Sequence, residues 1–117
     1  MEVYKMKKIE AIIREERMEA VKIALEDNGF IGLTISHVKG RGNQKGISLR
    51  WRAGEYRVEF LPKVKMEIIC DDGEEDLVVD TIRQAAETGK IGDGKIFILP
   101  VEQVIRIRTG EKVRSVV

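Results

Sequence analysis

The sequence predicts an α+β fold, two βαβ units in tandem whose strands form one antiparallel sheet with both helices on one face. Three observations carry that expectation. Short β-like segments alternate with amphipathic helical ones in the order β-α-β, long loop, β-α-β. The halves repeat faintly: KIEAII before the first helix resembles KMEII before the second, and DNGFIG after one resembles ETGKIG after the other. Apolar residues occupy both parities of the strands (Ile12 and Ile13, Ile68 and Ile69, Ile96 through Leu99), so both sheet faces require burial. The arrangement is the split βαβ, ferredoxin-like one. Two helices cover one face, and a homo-oligomer is the economical cover for the other.

Each element follows from its residues. Residues 7–13 (KKIEAII) mix apolar and polar positions in a short strand. EERMEAVKIALEDNG places Met18, Val21, Ala24 and Leu25 on one helical face, with Asn28-Gly29 as the stop. FIGLTISHV (30–38) reads as a strand. Residues 39–57 have no sustained periodicity, are rich in glycine and carry six basic side chains. A loop that long in a compact domain is commonly functional. Residues 58–70 form a long strand in which Pro62 marks an edge or a bend. DDGEEDLVVDTIRQAAETG is a helix whose acidic first turn suits the macrodipole, and Gly89 is a candidate C-cap. KIFIL (95–99) and QVIRIR (103–108) are the last strands.

Composition narrows the function classes. A chain of 117 residues fits one domain with one core. Lys and Arg number 21 against 20 Asp and Glu, and aromatics are 5%, which argues against a general nucleic-acid binder. Paired aromatics for base stacking are missing from the central strands, against an RNA-binding sheet. Cys70 stands alone, so no disulfide framework or thiolate metal cluster is expected, and a reduced cytoplasmic setting is the default. No apolar run reaches the ~18 residues of a membrane span, so no direct membrane insertion is expected. Met1–Lys5 precedes a second Met6 and reads as a loose extension or an alternative start.

Residues 88–97, TGKIGDGKIF, hold the chemistry that most needs explaining. Gly89, Gly94 and Lys95 match G-x-x-x-x-G-K, yet Ile96 stands where a P-loop needs Ser or Thr for magnesium. A P-loop also runs from strand to helix, and this stretch runs from helix to strand. It is either a helix cap and a tight Gly-Asp-Gly turn or an anion site of another kind. Arg106 and Arg108, two apart on the expected strand, would leave one face, and paired guanidinium forks suit phosphate oxygens. Lys95 could join them. KGRGNQKG adds Gly40, Gly42 and Gly46, whose backbones permit close ligand approach. Its spacing is not G-x-G-x-x-G and no helix follows, so the dinucleotide fingerprint fails.

From Met6 to about Gly110 the chain resembles the PII nitrogen-regulatory signal proteins. TGKIGDGKIF is similar to that family's C-terminal signature, and VKGRGNQKG, EYRVEFLPKVKMEII and VIRIRTG resemble family segments at ungapped spacing. The resemblance implies a homotrimer with ATP or ADP in the clefts between subunits. It also implies magnesium-ATP-dependent binding of 2-oxoglutarate at the base of a T-loop spanning 40–58, with a tail at 111–117. Gly92, Asp93, Gly94 and Lys95 would surround the phosphates and ribose, and Arg106 and Arg108 would grip phosphates from across a subunit boundary. Thr34, Glu67 and the backbone at Ile12 and Ile69 would lie near the adenine. Gly40, Gly42 and Gln44 would form the T-loop base, Gln44 as the magnesium ligand and a contact to 2-oxoglutarate, and Lys63 would pair with a carboxylate of 2-oxoglutarate. Tyr56 matches a tyrosine that is uridylylated in some lineages, and Trp51 and Arg52 would meet the partner.

The resemblance further implies regulation of nitrogen-metabolism targets through the T-loop: an ammonium channel, glutamine synthetase or nitrogenase. Two departures stand out. Asn43 replaces a phosphate-binding Arg of many relatives, and WRAGEY replaces Y-[KR]-G-[AS]-E-Y. The competing reading is a nucleotide-hydrolysing enzyme on the same fold. Against it, no general base stands beside a nucleophile, and Asp93 alone is thin. His37 reads as structural and Cys70 as a small core hydrophobe. Trp51 either tucks against the body or anchors a partner.

Overall fold

The computed structural model describes residues 6–41, 49–50, 56–57 and 60–113. Ten elements follow along the chain: β1 (Met6–Arg14), α1 (Met18–Asp27), β2 (Thr34–Gly40), β3 (Leu49–Arg50), β4 (Tyr56–Arg57), β5 (Leu61–Asp71), α2 (Glu75–Ala86), β6 (Gly94–Val101), β7 (Val104–Ile105) and β8 (Lys112–Val113). Short 3-10 turns, Glu15–Arg17 and Asp72–Glu74, lead into the two helices. The main sheet has four strands in the order β2-β5-β1-β6, antiparallel throughout. The α+β, ferredoxin-like expectation is therefore met. Among the described residues, no helix is long and apolar enough to cross a membrane.

Strand parity builds the core. Ile9, Ala11 and Ile13 of β1 pair with Ile68, Met66 and Val64 of β5, and all six are buried. Val21 and Leu25 of α1 and Val78, Ile82 and Ala86 of α2 complete the same cluster, which puts both helices on one face. A side chain such as Leu25, fully buried, contributes roughly 1.5–3 kcal/mol. Cys70 belongs to this cluster, as expected, and burial pushes its thiol up to about 11, which makes it inert as a nucleophile at neutral pH.

The opposite face departs from the apolar reading. Its centre is an ion-pair lattice: Lys8 meets Glu67 at 2.5 Å, and Lys65 lies 3.5 Å from Glu10 and 3.9 Å from Glu67. Glu10 and Glu67 sit directly opposite each other across β1 and β5, so the two lysines offset a like-charge pair. The apolar residues of this face lie around that centre, with Ile12 and Ile69 partly buried and Phe97 and Leu99 exposed. β6 is an edge strand, and its exposed Phe97 and Leu99, opposite Glu10 and Lys8, are where the expectation of a covered second surface has its physical basis, while the exposed Ile98 lies opposite Ile9 on the helix side.

Several boundaries move. β2 begins at Thr34 rather than at Phe30, because Gly29 turns the chain at φ 86° and the Phe30 N–H bonds back to the Leu25 carbonyl. It runs on through Lys39 and Gly40, which pair with Pro62 and Leu61. The span from 39 to 57 is not strand-free, since Leu49 pairs with Arg57 and Arg50 with Tyr56. β5 starts at Leu61, and its Pro62 is tolerated because pairing with β1 ends at Lys63, leaving β2 alone alongside. α2 ends at Ala86 without Gly89 as its cap: Glu87 is already extended. Arg17 serves instead, its Nε donating to the Ala85 carbonyl at 2.9 Å.

Candidate functional site

The loop from Thr88 to Gly94 is folded by one carboxylate. Asp93 Oδ2 accepts the backbone N–H of Thr88 at 2.8 Å and of Gly89 at 2.9 Å. Its Oδ1 accepts Arg14 Nε at 2.9 Å and a short bond from the Thr88 hydroxyl. The Thr88 hydroxyl, then Arg14 and the two amides hold this carboxyl far below the usual carboxylate range. Gly89, Gly92 and Gly94 all have positive φ, which explains three glycines in six residues. Gly94 is the most constrained, since a Cβ there would lie 1.7 Å from the Ile12 carbonyl oxygen. Asp93 shapes the loop, and with every lone-pair direction committed it is not disposed to act as a general base.

Lys63 is part of the same assembly, although 29 residues separate it from the turn. It is 8% exposed, and its Nζ donates to the Gly92 carbonyl at 2.5 Å. Burial first, then the nearby Arg14, lowers its pKa. Gly40, at the end of β2, lies against the Lys63 stem, since a Cβ at Gly40 would meet Cγ at 3.4 Å. The base of the long loop, the buried ammonium and the glycine turn therefore meet at one place. No local spacing in the sequence links Lys63 to the glycine turn. Pairing of Lys63 with Arg14 across β5 and β1 is what unites them.

Eight of the expected nucleotide residues line two clefts of one chain, while Gly40, Gly92 and Arg108 line neither. A cleft of about 440 Å³ is lined by Ile12, Asp93, Gly94 and Lys95 together with Val79, Ile82 and Arg83 of α2. A second, of about 410 Å³, is lined by Thr34, Glu67, Ile69 and Arg106, with Gly32, Leu33, Val104 and Val113. Lys95 and Arg106 thus line different clefts within a chain. The strand reading of 103–108 also needs correction. Strand geometry stops at Ile105, and Gly110, at φ 72°, donates its N–H to the Arg106 carbonyl at 2.8 Å, closing a turn between β7 and β8. Arg108 lies in that turn, so the period-two argument for a shared face with Arg106 does not hold.

The charges differ in character. Arg14, Lys8 and Lys65 are paired with carboxylates. Among the described residues, Lys95, Arg106 and Arg108 are exposed and have no carboxylate partner, as is also true of the exposed Lys39, Arg83, Lys90 and Lys112. Glu67 keeps its charge easily, because the Lys8 hydrogen bond lowers its pKa. Ile12 offers its carbonyl to the tight approach at Gly94, and Ile69 lies on the strand position opposite Lys8. His37 is exposed, with Nδ1 3.7 Å from Glu15, and takes no part in the core. Gly42, Asn43, Gln44, Trp51 and Arg52 lie outside the described residues, and Tyr56 falls in β4. Among the described residues no cluster of His, Cys, Asp or Glu could hold a metal ion, and the expected magnesium ligand, Gln44, is outside them.

Sequence reasoning missed Arg14 and Arg17. Both look like ordinary solvated charges beside Glu15 and Glu16, and no local spacing links them to residues 68 to 79 positions away.

Comparison with known proteins adds the remaining evidence. Residues 6–111 match the family model described as nitrogen regulatory protein P-II. The nitrogen regulatory protein P-II of Nostoc punctiforme is 63% identical over 107 residues, covering 92% of this chain and 96% of that protein. Nitrogen regulatory protein P-II 2 of Methanothermobacter thermautotrophicus is 53% identical over 112 residues, covering 96% and 97%. Among solved structures, Arabidopsis thaliana PII bound to citrate superposes with a TM-score of 0.76 at 43% identity, covering 93% of this chain and 89% of that one. These relatives carry the names of regulatory proteins.

Proposed function

The chain belongs to the P-II nitrogen regulatory protein family, and from that premise we propose that it senses ATP, ADP and 2-oxoglutarate as a homotrimer. One observation carries the reading. Residues assigned to a single nucleotide divide between two clefts, each with a cation lacking a carboxylate partner among the described residues: Lys95 in one, Arg106 in the other. One chain supplies half a site at each place. A second copy that sets its β7–β8 turn against the glycine loop of the first joins the halves, with Arg106 and Arg108 reaching the phosphates that Gly92–Lys95 surround. The exposed edge of β6 gives such copies an apolar surface to share.

In this reading Thr34, Glu67, Ile12 and Ile69 enclose the base. Magnesium, held through Gln44 and the nucleotide phosphates, supplies the positive charge that draws a 2-oxoglutarate carboxylate to the site. Lys63, with Gly40 against its stem, binds another carboxylate of that effector. ATP, ADP and 2-oxoglutarate then bias the T-loop between conformations that engage or release an ammonium channel or a nitrogen-metabolism enzyme. Trp51 and Arg52 are the proposed partner contacts and Tyr56 the proposed modification site. The setting is the cytoplasm.

Calorimetric titration with ATP, ADP and 2-oxoglutarate, with and without magnesium, together with molar mass by light scattering, tests the proposal. The expected result is three nucleotides per trimer and 2-oxoglutarate binding that requires magnesium-ATP. A monomer at micromolar concentration that still binds ATP overturns the shared site.

A further inference from the structure

The connection between α2 and β6 is tied at both ends by two arginines, one closing β1 and the other closing the 3-10 turn that follows it. Arg17 holds its start, donating Nε and Nη2 to the Ala85 carbonyl at 2.9 and 2.5 Å. Arg14 holds its end, with Nε on Asp93 Oδ1 at 2.9 Å and Nη2 on the Ile91 carbonyl at 2.7 Å. The remaining nitrogen, Nη1, faces Glu16 at 3.8 Å. All three nitrogens of Arg14 are therefore directed at protein partners, and its side chain is not among those lining the cleft.

We propose that Arg14 is a positioning residue for the nucleotide loop: it holds residues 88–94 in the conformation that binds the phosphates, acting through Asp93 and Ile91 without touching the nucleotide. The argument is geometric. Asp93 organises the Thr88 and Gly89 amides, and Gly94 and Lys95 follow it directly into the cleft. Fixing Asp93 to β1 fixes the loop relative to Ile12, the strand neighbour that Gly94 nearly touches. A guanidinium can bond a carboxylate and a carbonyl at once, and a lysine ammonium presents one compact point charge that cannot span both. Without the tie, the binding-competent loop is only fractionally populated, and apparent affinity falls by that fraction.

The proposal rests on the reading that this chain binds ATP, and the test separates the two. Arg14→Ala, Arg14→Lys, Arg17→Ala, Asp93→Asn and the double variant Arg14→Ala/Asp93→Asn are compared in the full chain by calorimetric ATP titration and amide exchange at Thr88 and Gly89. Arg14→Ala is expected to weaken ATP about tenfold and to speed exchange at both amides. Arg14→Lys should do the same to a lesser extent, and it carries the test should Arg14→Ala fail to fold. In the Asp93→Asn background, Arg14→Ala should cost less than in the wild-type chain, because the charged contact to Asp93 is already weakened and mainly the bond to the Ile91 carbonyl is left to lose. Arg17→Ala should lower the melting temperature while leaving ATP affinity within about twofold. Unchanged ATP affinity and unchanged exchange in both Arg14 variants overturn the proposal. So does a loss in the Asp93→Asn background as large as that in the wild-type chain, which would show that Arg14 does not act through Asp93. A wild-type chain that does not bind ATP overturns the nucleotide reading instead, and the exchange measurement still decides whether Arg14 orders the loop.

Discussion

Replacing Gly94 by alanine tests the tightest contact in the site. The new Cβ would start 1.7 Å from the Ile12 carbonyl oxygen and 2.8 Å from its carbon, whereas real Cβ atoms essentially never approach within 3.0 Å. Both atoms it meets are backbone, in the central strand β1, so no side-chain rotation relieves the clash. Gly94 also sits at φ 108°, which costs a non-glycine residue about 1–3 kcal/mol. Relief requires the first residue of β6 to move off β1, breaking the Ile13–Gly94 pairing and giving up a ladder hydrogen bond worth ~1 kcal/mol. The total loss is expected to be about 3 kcal/mol or more, in the range that overpacking and backbone strain together produce. Gly89→Ala is the internal control: φ is 83°, but nothing lies within 4 Å of its Cβ, so only the conformational cost of about 1–3 kcal/mol applies. Urea unfolding followed by circular dichroism gives both values, and ATP titration should show Gly94→Ala as the more damaging. Equal midpoints for the two variants would refute the reasoning, because the close approach to Ile12 would then contribute nothing.

Three further outcomes follow from the geometry. Lys63→Ala should eliminate 2-oxoglutarate binding and, because Nζ also holds the Gly92 carbonyl, should weaken ATP by a smaller factor, under about tenfold; calorimetry showing retained 2-oxoglutarate affinity contradicts the assigned role. Arg106→Ala should weaken ATP by about 1.5–3 kcal/mol while leaving adenosine nearly untouched, and equal losses for the two ligands would remove it from the phosphates. Asp93 has its pKa lowered in the folded state, so its contribution is fully present above the ordinary carboxylate value of 3.8 and is lost progressively as pH falls below that. Asp93→Asn should therefore destabilise the protein at neutral pH and flatten the acid limb of the stability profile, and parallel profiles for wild type and variant below pH 4 would contradict the linkage.

Local signals carried well where the physics is local. Ile9, Ala11 and Ile13 alternate along β1 as a half-buried strand requires, and Val21 and Leu25 share a helical face four residues apart. The direction of TGKIGDGKIF, from helix into strand, excludes a P-loop on the sequence alone. Other readings failed where residues outside the segment decide. QVIRIR has strand-like alternation, yet the Gly110 amide captures the Arg106 carbonyl and bends the chain after Ile105. The second sheet face reads as apolar from Ile12 and Ile69. Register brings Glu10 opposite Glu67 between Lys8 and Lys65, and the centre becomes ionic.

The sequence by itself determined the two helices, the four strands of the main sheet and their order, the parity of the core and the place of the glycine loop, because each depends on residues within a few positions of one another. Only the tertiary structure decided that Arg14 holds Asp93, that Arg17 ends α2, that Lys63 reaches Gly92, and that Lys95 and Arg106 line separate clefts. Those contacts join residues up to 79 positions apart. They exist because the order β2-β5-β1-β6 sets Arg14 beside Lys63 and Ile13 beside Gly94, and a shift of one residue in either register would send each of these side chains to the opposite face.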